Sequence, residues 1–211
     1  MDEEFPFGRD YWEQRYAEPG MTWSGNPNPV LVDEVASLTP ARALDVGSGE
    51  GGDALWLARH GWHVTAVDIA TAAIEKARLR AEATDPAASA LIEWQQRDVT
   101  DWVPNARTFD LVSSQFMHLA EPARTRYFRG LAAAVASGGT LLIVGHDPDA
   151  EREGHHTHLR ELMFTADDVL ESLDGAGLRT DVAESRTHPV IGHDGRSSTA
   201  SDVVVRVTRA D

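Results

Sequence analysis

The sequence predicts an α/β fold in which a mostly parallel, doubly wound sheet is covered by helices on both faces and closed by an antiparallel hairpin at the C-terminal end. Three observations predict it. Between residues 41 and 146, short apolar runs of strand length alternate with segments of helical period. A glycine-rich loop occupies the first junction from strand to helix. After residue 175 the pattern changes to two long alternating runs, as expected of a hairpin.

The elements follow in order. Ala43 to Val46 is the first strand, and a helix from Gly51 to His60 is stopped by Gly61. Trp62 to Val67 is the second strand, and Ala70 to Ala83 the second helix, with Ile74, Ala77 and Ala81 on one face. Leu91 to Arg97 and Phe109 to Ser113 read as strands three and four. A helix from Glu121 to Val135 leads through Ser137-Gly138-Gly139 into a fifth strand, Thr140 to Val144. Strands joined through helices require right-handed crossovers, hence a parallel sheet buried on both sides. Thr165-Ala166-Asp167-Asp168 is a capping box opening a helix to about Gly175. Leu178 to Arg186 and Asp202 to Arg209 form the hairpin, with Gly192 to Ser201 as its connection.

Composition narrows the function classes. A chain of 211 residues, 42% hydrophobic, suffices for one domain. It divides into an N-terminal helical lid (1–39), a core that binds a cofactor (40–146) and a substrate-side loop, helix and hairpin (147–211). The absence of cysteine excludes disulfides, thiolate zinc sites and a cysteine nucleophile. A formal net charge of −15, from 34 acidic and 19 basic residues, repels a phosphate backbone and argues against nucleic acid as partner. No run approaches the roughly 20 apolar residues of a membrane span. The acidic start, Met1-Asp2-Glu3-Glu4-Phe5, lacks a secretory pattern, so a cytoplasmic location is expected.

The chemistry concentrates at Asp45-Val46-Gly47-Ser48-Gly49-Glu50-Gly51-Gly52. Glycines there allow close backbone approach to a ligand and expose helix N-terminal amides. Gly47, Gly49 and Gly52 also satisfy the G-x-G-x-x-G spacing of nicotinamide and flavin enzymes. Asp45 separates the readings, because a carboxylate beside a pyrophosphate is repelled whereas an ammonium or sulfonium is attracted. Asp68, 21 residues after Gly47 at the end of strand two, suits ribose hydroxyls in either case. Asp98, followed by Val99, is expected to end strand three, within reach of an adenine amino group.

At these residues the chain resembles the class I S-adenosylmethionine-dependent methyltransferases, over roughly residues 40 to 146. The resemblance implies a Rossmann-like, three-layer α/β/α fold with a seven-stranded sheet and a reversed last hairpin. It implies S-adenosyl-L-methionine as cofactor and S-adenosyl-L-homocysteine as product. Asp45, Gly47, Ser48 and Gly49 would hold the methionine and ribose part, Asp68 and Ile69 the ribose and adenine face, Asp98 and Val99 the adenine edge, with Gln115 at the end of strand four. Tyr11-Trp12-Glu13-Gln14-Arg15-Tyr16, then Trp23 and Pro27, look like the lead-in of the tellurite-resistance and thiopurine methyltransferase branch. Ala70 departs from a serine often found capping the second helix, and Thr71 is the substitute.

A sulfonium methyl is already electrophilic, so such a protein mainly aligns its acceptor and excludes water. A base is required only when the acceptor must lose a proton, and imidazole suits that task. His118 after strand four and His146 after strand five are the candidates, with Asp147 or Asp149 to orient His146. Trp12, Arg15, Tyr16 and Trp23 could form a lid over the cation, although burial alone explains their spacing. His155-His156-Thr157-His158 has no spacing that fixes a metal geometry and reads as a mobile loop facing substrate. A nicotinamide oxidoreductase remains the alternative, without an evident Tyr-x-x-x-Lys pair because Lys76 is the sole lysine. A non-catalytic module that binds S-adenosylmethionine is a third.

Overall fold

The strands lie across one seven-stranded sheet in the order β3-β2-β1-β4-β5-β7-β6. The computed structural model describes residues 7–148, 157–191 and 197–210. Along the chain these form α1 (Arg9–Ala17), α2 (Pro29–Val35), β1 (Arg42–Val46), α3 (Gly52–Arg59), β2 (His63–Asp68), α4 (Thr71–Thr84) and α5 (Pro86–Ser89). There follow β3 (Ile92–Gln96), β4 (Phe109–Gln115), α6 (Ala123–Ala134), β5 (Val135–His146), a 3-10 turn (Thr157–Leu162), α7 (Ala166–Ser172), β6 (Leu178–Ile191) and β7 (Ser197–Arg209). β1 to β5 pair in parallel, and β7 runs antiparallel between β5 and β6. None of the described helices is long and apolar enough to cross a membrane.

Strand alternation sends side chains into two separate cores. Leu44, Val46, Val112, Leu141 and Ile143 meet Phe128 and Leu131 of α6 and Val169 of α7. Ala43, Ala66, Leu111, Leu142 and Val144 meet Leu31 of α2, Leu55 and Leu57 of α3 and Ala81 of α4. Helices therefore cover both faces, which is the three-layer arrangement expected from the sequence.

Several boundaries differ from the expectation. β5 begins at Val135, directly at the end of α6, instead of at Thr140. Its first residues pair with Phe109, and a register shift between Phe109 and Leu111 absorbs the irregular glycine pair. β3 stops at Gln96, so Asp98 lies two residues beyond the strand. The buried stripe of α4 is Ala73, Ala77 and Ala81, one position out of phase with Ile74, because alanines let the helix lie close to the sheet. α7 ends at Ser172 while retaining the Thr165–Asp168 capping box. Both hairpin arms are longer than read, and residues 192–196 of their connection lie outside the described residues.

Thr71 does not cap α4. The free amides at its start, Thr71 N and Ala72 N, instead donate to the two Glu13 carboxylate oxygens at 2.7 and 3.0 Å. A helix start without a capping side chain of its own thus becomes an anchor for α1.

Candidate active site

The sheet reverses its winding between β1 and β4, and ligands of doubly wound sheets occupy the crevice beyond the C-terminal strand ends at such a point. Asp45 stands opposite Ser113 and Val46 opposite Ser114, which puts the glycine loop beside Gln115. Gly47 N and Ser48 N both donate to Val67 O at 2.9 and 3.0 Å, tying the loop to β2. Gly47 (φ 74°) and Gly49 (φ 51°) occupy the left-handed region that disfavours other residues. A Cβ on Gly47 would strike the Met117 thioether, and one on Gly49 would lie 3.0 Å from Tyr16 Oη. The loop is covered closely from both sides.

Three carboxylates gather under it. Asp45, which shares the face of Ala43, is buried at 2% exposure, and its Oδ2 has no hydrogen-bond partner. Burial, then the neighbouring carboxylates Asp53 and Asp68, push the Asp45 carboxyl well above the usual range. Burial pushes Asp53 up to about 6, although Asn28 N donates to it at 2.6 Å. Asp68 accepts from Gly49 N and Ala70 N, each at 2.9 Å, and burial still raises its carboxyl. Ser48 Oγ and Gln115 Oε1 are also buried without a partner, while Gln115 Nε2 donates to Ser113 Oγ at 2.9 Å. A buried polar atom left unpaired costs about 1–3 kcal/mol, so three such atoms around one glycine loop call for a polar, cationic ligand. The residues fit the aminoacyl end of S-adenosylmethionine.

On the nucleoside side, Asp98 Oδ1 accepts from Thr100 N and Thr100 Oγ1 at 2.9 and 2.7 Å, forming a turn just past β3. Val99 packs against the core that includes Met117 and Trp102. The Ile69 carbonyl accepts from Gln96 Nε2 at 3.0 Å, which ties the end of β2 to β3.

Of the lid candidates, Tyr16 is buried at 4% exposure and stacks on Trp12 with ring centres 5.7 Å apart. Its hydroxyl accepts from Trp23 Nε1 at 3.0 Å. Arg15 is exposed, whereas Tyr16, with Trp12 behind it, and the edge of the largely exposed Trp23 both lie against Gly49. The sequence reading missed what fastens this segment. Glu50 accepts from Thr22 N and Trp23 N, and Lys76 reaches Glu18 O at 2.7 Å, Gly20 O at 2.8 Å and the Glu50 carboxylate at 3.6 Å. Arg80 donates to Glu50 O at 2.9 Å and to Gly25 O. An acid inside a glycine loop was the available signal, since a buried Glu needs partners.

Across the crevice, His118 and His146 stack with ring centres 5.0 Å apart and planes 16° from parallel. His146 N donates to His118 Nε2 at 3.1 Å. A neutral imidazole has one acceptor nitrogen, and in His118 that nitrogen is taken by backbone. His146 Nδ1 faces Asp202 Oδ1 at 3.2 Å. Asp147 Oδ2 accepts from Ser185 Oγ at 2.5 Å, and Asp149 lies outside the described residues. Asp202, missed in the sequence, is the acid at His146, placed there by the β5–β7 register. Phe116, with φ 56°, lies 4.7 Å from the His146 ring, and such strain concentrates at functional sites. His155 and His156 fall outside the described residues, as does the side chain of His158. Among the described residues no group of three His, Cys, Asp or Glu could hold a metal.

Fold and site together form a doubly wound α/β crevice with buried acids beneath its glycine loop. Residues 43–139 match the family model of a methyltransferase domain. An uncharacterized methyltransferase of Mycobacterium tuberculosis is 36% identical over 134 residues, 63% of this chain and 64% of that protein. A ubiquinone biosynthesis O-methyltransferase of Xanthomonas campestris is 33% identical over 120 residues, 55% of this chain and 48% of its own length. Each match thus spans less than two thirds of the relative. Among solved structures, TehB from Haemophilus influenzae superposes with a TM-score of 0.70 at 17% identity, covering 95% of this chain and 66% of that one. An S-adenosylmethionine dependent methyltransferase from Mesorhizobium loti gives 0.63 at 18% identity, covering 86% and 96%. Both share the fold.

Proposed function

We propose that this protein is a cytoplasmic enzyme that transfers a methyl group from S-adenosyl-L-methionine to a small-molecule acceptor. The single observation that carries the reading is the buried Asp45 carboxylate, whose Oδ2 faces no protein donor beneath a glycine loop. When bound, S-adenosylmethionine would supply a methyl group made electrophilic by its positively charged sulfur. Asp45, with Ser48 and Gln115, would bind the methionine end. Asp68 would accept the ribose hydroxyls on lone pairs left over from Gly49 N and Ala70 N. Ile69, Asp98 and Val99 would line the adenine.

Residues 1–39 would act as the lid, 40–146 as the cofactor core and 147–211 as the acceptor side. Tyr16 and Trp12 exclude water over Gly49, which strengthens the attraction between Asp45 and a cation. His146 Nε2 receives the acceptor proton where the acceptor carries one. His118 holds the His146 backbone in place.

Calorimetric titration with S-adenosylhomocysteine and separately with NAD tests the reading. We expect S-adenosylhomocysteine to bind and NAD to bind far more weakly; preference for NAD would overturn it. Burial raises the Asp45 carboxyl and a bound cation would lower it, so binding should release protons at a pH between the two values, seen as a dependence of the heat on buffer ionisation enthalpy. Asp45→Asn should abolish that dependence.

A further inference from the structure

We propose that Lys76 is a positioning residue for the crevice: its ammonium ties a strap, residues 18–26, to the glycine loop, so that seating a ligand and closing the strap are one equilibrium. The inference goes beyond the proposed function, and only its ligand measurements rest on that reading.

The strap is held from outside. Between Gly20 and Asn26 the backbone hydrogen bonds run to side chains: Thr22 N and Trp23 N donate to Glu50, Asn26 N donates to Ser24 Oγ, and Gly20 O and Gly25 O accept from Lys76 and Arg80. A segment fastened by a few side chains, with no helix or sheet ladder of its own, opens locally while the rest of the fold stays intact.

Lys76 is the sole lysine of the chain. It stands one turn before Arg80 on α4, so both cations rise from the same side of that helix. An ammonium has three donors and no acceptor, which suits a turn of carbonyls. Lys76 Nζ donates to Glu18 O at 2.7 Å and Gly20 O at 2.8 Å, and the Glu50 carboxylate lies 3.6 Å away. Glu50 is buried and accepts from Thr22 N at 2.9 Å and Trp23 N at 3.0 Å. The ammonium therefore offsets the cost of a buried carboxylate and joins α4, the strap and the glycine loop at one point.

The link to the crevice is direct. Glu50 follows Gly49, and the strap brings Trp23 to the same place: Trp23 Nε1 donates to Tyr16 Oη, and both rings lie against Gly49. A ligand that reaches Gly49 meets the Trp23 edge only while the strap is closed. That difference in contact is what shifts the population toward the closed form. Closure engages Lys76, and opening frees its amine.

The test is acetylation of the full-length protein with an N-hydroxysuccinimide ester, read at Lys76 by peptide mass spectrometry against a lysine-containing reference peptide in the same tube. Saturating S-adenosylhomocysteine should slow acetylation of Lys76 about tenfold and leave the reference unchanged. Lys76→Gln should bind S-adenosylhomocysteine about tenfold more weakly in a calorimetric titration. In the ligand-free variant the Thr22 and Trp23 amides should exchange hydrogen faster than in wild type, with β1 unaltered. Equal acetylation with and without bound S-adenosylhomocysteine overturns the proposal. So does unchanged affinity in Lys76→Gln, unchanged exchange at Thr22 and Trp23, or a rise spread equally over β1, which general loosening would produce. If wild type binds no S-adenosylhomocysteine, the methyltransferase reading falls and the ligand-free exchange alone decides on Lys76. Should Lys76→Gln not fold, the acetylation of wild type decides.

Discussion

Asp45, Asp53 and Asp68 place three buried acids within one another's field, and the surrounding amides offset only part of the cost. Asp53 keeps its proton to about pH 6, whereas in the unfolded chain it would lose it near the ordinary carboxylate value. Its contribution to stability is therefore complete at low pH and disappears as pH rises through about 6, an effect of at most roughly 3 kcal/mol. Asp53→Asn should accordingly stabilise the ligand-free protein at pH 7 relative to wild type and give no such gain at pH 4. Urea denaturation at the two pH values checks this; equal differences would contradict it. Asp68→Ala should weaken S-adenosylhomocysteine binding by about 2–3 kcal/mol, since it strands the ribose hydroxyls and releases Gly49 N. Unchanged affinity in a calorimetric titration rejects its role. At this scale Asp45 and Asp68 were legible because a motif fixes their place relative to glycines. Asp202 was not, because its partner stands 56 residues away and only strand pairing brings them together.

Helix α4 begins without a cap of its own and borrows Glu13 from α1, so a local deficit becomes a tertiary contact. Glu13→Ala should cost about 1 kcal/mol, as loss of a helix cap does, and should also loosen Tyr16 over the glycine loop. Thermal unfolding together with S-adenosylhomocysteine affinity reads both effects, and a fall in stability with unaltered affinity would separate the cap from the lid. The departure at Ala70 was visible in sequence, but the replacement was not: any exposed acid in the N-terminal segment could have filled the place. Element types followed from periodicity, which depends only on neighbouring residues. Ends did not. β3 stopping before Asp98 and β5 starting at Val135 depend on pairing with β2 and with Phe109.

Across the whole molecule, Glu34 of α2 joins the N-terminal region to the hairpin through Arg186 at 2.6 Å and Arg206 at 2.8 Å. The carboxylate is only 7% exposed, so Glu34→Gln should cost about 3 kcal/mol in urea denaturation by leaving two cations poorly matched. Arg78→Ala, which removes only exposed helix pairs, should leave the midpoint where it is. A large loss at Arg78 and none at Glu34 would reverse this account. The amino-acid sequence by itself determined the alternation of strands and helices and the glycine loop with its acids. These properties are written in spacings of a few residues. Only the tertiary structure decided how the two histidines stack, that Asp202 stands at His146 and what fastens the N-terminal segment. Those outcomes depend on hydrogen bonds between residues far apart in the chain, and such pairings exist only once the sheet has set its order and register.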